Sequence, residues 1–133
     1  MLTFHHVGYL VKNMEDSLNA FEVLGYSVVR PPAKDDIRGA FIAFMQKDGI
    51  RIELIQPADR ESPVYGLLKH YRNAPYHLCY GTDDFEGDIS RLEAKGFSLF
   101  TEIEPAPCMG NRNVAFLMNA HIGMIELYDK DLF

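Results

Sequence analysis

Tryptophan is absent from the 133 residues and cysteine occurs only twice. No apolar run approaches the roughly 20 residues that a bilayer-spanning helix needs. Cys79 and Cys108 are too few for a disulfide scaffold, and no C-x-x-C or Cys/His finger spacing marks a structural zinc site. They read as two reduced thiols of a cytosolic protein. Positive charge is also short: 13 Lys and Arg against 19 Asp and Glu give a net charge of −6. Nucleic acid and anionic membrane surfaces call for basic patches, so neither is the expected partner. The first residues, Met1-Leu2-Thr3-Phe4-His5, have no basic segment followed by an apolar one. No secretory signal is therefore expected, and the expected location is the cytoplasm. What is present in quantity is apolar: 47% of the chain, which excludes disorder as a global description and supplies one modest core. The length fits a single domain, residues 1–133, and is too short for a (β/α)8 barrel.

The chain repeats itself. His6-Val7-Gly8-Tyr9-Leu10-Val11 matches His77-Leu78-Cys79-Tyr80-Gly81-Thr82, and at the same offset Gly25-Tyr26 matches Gly96-Phe97. With small gaps, Ala43-Phe44-Met45 matches Ala115-Phe116-Leu117, and Ile52-Glu53-Leu54 matches Ile125-Glu126-Leu127. Recurrence of the same landmarks in register points to two copies of one module.

Each copy reads β-α-β-β-β. In the first, Phe4 to Val11 has strand composition, Asn13 is a capping side chain, and Met14, Leu18, Phe21 and Leu24 recur at helical spacing up to Gly25. Tyr26 to Arg30 reads as a strand ended by Pro31-Pro32. Ala40 to Gln46 and Ile50 to Gln56 read as a hairpin through Lys47-Asp48-Gly49. In the second copy the strands are Tyr76 to Thr82, Phe97 to Glu102, Asn113 to Met118 and Gly123 to Tyr128. Asp84 caps a helix that stops at Gly96. The expected architecture is α+β: two βαβββ modules, 3–57 and 76–129, joined by a linker at 58–75 that carries a short helix over Val64 to Tyr71. The antiparallel strands of the modules curl into a cup around a metal-binding cleft.

Strand parity selects the candidate site. Glu53 lies between Ile52 and Leu54, and Glu126 between Ile125 and Leu127, so each carboxylate points away from its apolar neighbours. A lone strand histidine is most often a satisfied core or surface residue, and a lone mid-strand acid often sits on a solvated face. Here His6, Glu53, His77 and Glu126 stand at repeat-matched positions, and two-fold packing of the modules would bring the four together. Two imidazoles and two carboxylates suit a divalent first-row cation such as nickel, cobalt, zinc or manganese. His5 points to the opposite face from His6 and is expected at the surface or in a dimer contact. His70 and His121 are expected in solvent, and Tyr9 and Tyr80 in packing.

These residues resemble the vicinal oxygen chelate superfamily, also called the glyoxalase/bleomycin-resistance/dioxygenase fold. The opening His5 to Met14 is similar to its first-strand pattern. "RIELIQP" (Arg51 to Pro57), "YHLCY" (Tyr76 to Tyr80) and "MIELYD" (Met124 to Asp129) resemble its other metal strands. Within the superfamily, "PADRESPV" (Pro57 to Val64) and "NRNVAFL" (Asn111 to Leu117) resemble small bacterial glyoxalase I enzymes and methylmalonyl-CoA epimerases. The resemblance implies His6, Glu53, His77 and Glu126 as metal ligands and Glu126 as a base. The epimerases carry a further carboxylate just before the third strand. Here Ile37 stands nearest, with Asp35 and Asp36 just upstream.

The expectation is therefore a metal-dependent lyase or isomerase that moves a proton next to a carbonyl chelated to the metal. The leading activity is of glyoxalase I type, converting a hemithioacetal to a lactoyl thioester. The alternative is methylmalonyl-CoA epimerase. A non-catalytic small-molecule-binding or antibiotic-resistance protein of the same fold is the reading from another class, and the four ligands count against it. The expected partners are a small thioester or hemithioacetal substrate and a second copy of the chain in a homodimer.

Overall fold

The computed structural model describes residues 2–130. Its strands and helices alternate as β1 (Thr3–Leu10), α1 (Met14–Val23), β2 (Ser27–Asp35), β3 (Ala40–Lys47), β4 (Ile50–Pro57), α2 (Leu68–Tyr71), β5 (Ala74–Thr82), α3 (Phe85–Glu93), β6 (Ser98–Leu99), β7 (Glu104–Ala106), β8 (Arg112–Asn119) and β9 (Gly123–Asp129). Single turns of 3-10 helix precede α2 at Tyr65–Leu67 and β8 at Pro107–Met109. The class is α+β. No helix among the described residues is long and apolar enough to cross a membrane.

The chain forms two compact units, His6–Tyr76 and a second made of Met1–His5 with His77–Phe133. In the first, β2, β3 and β4 form an antiparallel ladder, and β1 joins β4 in parallel, with Gly8 opposite Glu53. Asn13 begins α1: its side chain accepts from Asp16 N–H at 2.9 Å, and Gly25 with φ 102 follows the C-terminus. That backbone sign favours glycine. Val7, Tyr9, Met45, Ile52 and Leu54 pack against α1 through Met14, Leu18 and Phe21. The β3–β4 hairpin turns on Asp48 (φ 52) and Gly49 (φ 77), the positive pair that matches the strand twist.

The second unit repeats the plan. β5 and β9 are parallel, β9 and β8 antiparallel, and β6 and β7 both lie along β8. Asp84 caps α3 by accepting from Gly87 N–H at 3.1 Å. Phe85, Ile89 and Leu92 of α3 pack on Ala115, Leu117, Ile125 and Leu127. In both units the helix therefore covers one face of the sheet, and the alternate side chains of the same strands face the other way.

Two sequence expectations need correction. The second strand does not end at Pro31-Pro32 but continues to Asp35. It is the edge of its ladder, and its register with β3 shifts between Val28 and Arg30 and again between Arg30 and Ala33. Proline is tolerated at such an edge irregularity because no ladder donor is required there. The strand expected over Phe97 to Glu102 is broken into β6 and β7. Phe100 N–H still reaches Phe116 O at 2.7 Å, but Thr101 to Ile103 leave the sheet before Glu104 rejoins it opposite Val114.

Candidate functional site

The face turned away from α1 carries His6, Glu53 and Phe44. His6 is fully buried and Glu53 is 5% exposed. His6 Nε2 lies 3.3 Å from Glu53 Oε1. The Phe44 ring stands edge-on to the His6 imidazole at 5.4 Å between centroids and is the register partner of Glu53. Such a contact fixes the plane of the imidazole without using either nitrogen.

The face turned away from α3 carries the matching set. His77 and Glu126 are each 3% exposed. His77 Nε2 lies 3.3 Å from Glu126 Oε1, and Phe116, register partner of Glu126, stands edge-on to His77 at 5.3 Å. Cys79, opposite Glu126 on β5, takes the place that Gly8 takes opposite Glu53. Cys79 packs with Val114 and Tyr128 on that face. Buried carboxylates need a charged or hydrogen-bonding partner, or a cation. Each unit thus holds one buried imidazole–carboxylate pair backed by one phenylalanine.

The remaining candidates are placed elsewhere. His5 is half-buried against the Tyr128 ring at 4.7 Å. His70 and His121 are exposed. Tyr9 packs edge-on to Phe21 at 5.1 Å, and Tyr80 packs beside the α3 core. Cys79 and Cys108 are buried, and neither is in a disulfide among the described residues. Asp35 is buried and committed to the β2–β3 turn: it accepts from Ile37 N–H (3.0 Å), Arg38 N–H (3.1 Å) and the Arg38 guanidinium (2.8 Å). Asp36 is in solvent, 3.7 Å from Lys34 Nζ. The two phenylalanines were not singled out from the sequence, although the alignment of Phe44 with Phe116 in the repeat carried that signal.

A model of the glyoxalase/bleomycin resistance protein/dioxygenase superfamily matches residues 4–116. The chain belongs to this superfamily. A mitochondrial methylmalonyl-CoA epimerase of Dictyostelium discoideum is 24% identical over 131 residues, covering 95% of this chain and 77% of the relative. An ethylmalonyl-CoA/methylmalonyl-CoA epimerase of Cereibacter sphaeroides is 28% identical over 115 residues, 85% of each chain. Among solved structures, a variant of the Streptomyces coelicolor methylmalonyl-CoA epimerase in complex with 2-nitronate-propionyl-CoA superimposes with a TM-score of 0.80. It is 21% identical and covers 97% of this chain and 98% of that one. At that identity the likeness speaks for the fold. The vicinal oxygen chelate fold that the family resemblance implied is thus the fold found.

Proposed function

We propose that this superfamily member is a metal-dependent acyl-CoA epimerase, with methylmalonyl-CoA as the first substrate to test, and that His6, Glu53, His77 and Glu126 together hold one divalent cation. The observation that carries the reading is the duplication of a buried imidazole–carboxylate pair at 3.3 Å in both units. That separation exceeds the 2.7–2.9 Å usual for a charge-assisted hydrogen bond. The donor set fits nickel, cobalt, zinc or manganese, among which it does not choose. The two epimerases named above favour this activity over the glyoxalase I reaction that led the sequence expectations.

A cation bound by these side chains supplies a Lewis acid for the thioester oxygen on which negative charge builds. The chain's own residues do the rest. Glu126 would take the proton from the carbon next to the carbonyl, and inversion follows when a proton from a second donor is delivered to the opposite face of that planar carbon, so atoms and charge balance over the cycle. Phe116 keeps the His77 imidazole in plane, and burial keeps bulk water from the carboxylate.

One observation favours a second reading. Asp35 is the nearest buried acid to the position where epimerases carry another carboxylate, and it is engaged by Arg38 and two backbone N–H groups. A glyoxalase-type isomerisation moves a proton between adjacent carbons with one carboxylate and needs no second acid. Assay of chelated and metal-reloaded protein on single-enantiomer methylmalonyl-CoA and on a methylglyoxal hemithioacetal separates the readings. Stereochemical inversion supports the proposal, and turnover of the hemithioacetal alone replaces it with the second reading.

A further inference from the structure

An open pocket of about 830 Å³ lies at the ends of β1 and β4 in the first unit and is bordered by Lys12, Arg60, Lys69 and Arg72. Four of the 13 basic residues of an acidic chain thus surround one depression. They come from the end of β1, the loop after β4 and the short helix α2 with its C-cap. The acid at the pocket, Asp59, has a carboxylate oxygen that accepts from Glu61 N–H at 2.9 Å. Among the described residues no ion pair involves any of the four cations.

Two of the cations are held by the backbone. Lys12 N–H donates to Asn73 Oδ1 at 2.9 Å, which ties the end of β1 to the segment after α2. Arg72, the C-cap of α2, has φ 52 and ψ −137. A non-glycine residue rarely adopts that conformation, and such strain concentrates where a side chain must be presented. Tyr65 and Leu68 provide an apolar side to the pocket. Pro57 follows Glu53 on the same face of β4, roughly 13 Å farther along at the strand rise. An extended pantetheine arm bridges such a span.

We infer that this pocket binds the phosphate groups of the substrate's nucleotide-bearing thiol carrier, with Arg60, Arg72, Lys12 and Lys69 as the cations and the Tyr65 side as the seat for the base. The inference rests on the acyl-CoA reading above for the identity of the carrier, but the pocket's chemistry is independent of the reaction. Arginine and lysine clusters recognise phosphate through charge-assisted hydrogen bonds. Glutathione, which offers two carboxylates and no phosphate, brings less negative charge to them.

The test is calorimetric titration of the whole protein with adenosine 3′,5′-bisphosphate, CoA, inorganic pyrophosphate and glutathione. The bisphosphate and CoA are expected to bind, more weakly as salt is raised, and glutathione less tightly than either. Arg60→Ala and Arg72→Gly should each weaken the bisphosphate about tenfold, the step that 1.4 kcal/mol represents. Arg72→Gly suits the positive φ, so the fold is retained, and Lys69→Glu gives a charge reversal at an exposed site. Binding that disappears in these variants while no acyl-CoA is turned over keeps the pocket and removes the epimerase reading. Epimerisation with bisphosphate affinity unchanged in all three variants overturns the pocket and leaves the reading intact.

Discussion

His77 and Glu126 meet at 3.3 Å on the face of β5 and β9 turned away from α3, and His6 and Glu53 repeat that separation on β1 and β4. If all four bind one cation, the protein takes up one ion per chain. His6→Ala and His77→Ala should each lower metal affinity by a hundredfold or more, since a buried imidazole ligand is removed without replacement. Metal content by elemental analysis after dialysis checks this. Two ions per chain, or an affinity that survives either substitution, contradicts a shared site.

Asp35 is expected to act on stability and not on proton transfer. Asp35→Ala leaves Arg38 and two backbone N–H groups without their acceptor in a buried turn, at a cost of about 2–4 kcal/mol. The melting temperature should fall by several degrees while activity per folded molecule is retained. Loss of activity at unchanged melting temperature would make Asp35 a proton carrier.

Asp88 gives the fold a defined acid sensitivity. The Thr82 hydroxyl donates to its carboxylate, and the Arg91 guanidinium adds to the effect, so its pKa is held below the ordinary 3.8. A depressed carboxylate contributes stability that is complete above the unfolded value and is lost as pH falls through the lower folded one. Asp88→Asn should cost about 1 kcal/mol at pH 7. The gap from the parent should narrow as pH falls below the ordinary carboxylate value of 3.8, as linkage requires. Denaturant unfolding at pH 7 and along a series of pH values below 3.8 measures it. A gap that stays the same throughout that series contradicts the role given to the charge.

Much of this was legible before the structure because it is local. Asn13, Asp84, Gly25 and Gly96 mark helix ends through their own backbone preferences, and Asp48-Gly49 specifies its turn. The repeat carried the rest: Glu53 and Glu126 stand out only because each interrupts an apolar strand at the same place. What escaped depends on long-range pairing. The parallel pairs β1–β4 and β5–β9 join segments some 45 residues apart in sequence, and nothing in either strand announces its partner. Pro31-Pro32 reads as a terminator unless the strand is known to be an edge. Asp35 reads as a free acid until Arg38 folds back on it. Lys12, Arg60, Lys69 and Arg72 share no spacing and become a group only when the ends of β1 and β4 are side by side.

The proposed chemistry requires Glu126 to exchange the proton next to the carbonyl. Proton NMR of methylmalonyl-CoA in deuterium oxide follows that exchange directly. Metal-loaded protein should wash deuterium into the carbon next to the thioester. Chelation should abolish the exchange, and Glu126→Gln should slow it by about 10²–10⁴, the range for loss of a positioned base. Exchange at the parental rate in metal-loaded Glu126→Gln, or in the chelated protein, contradicts the account.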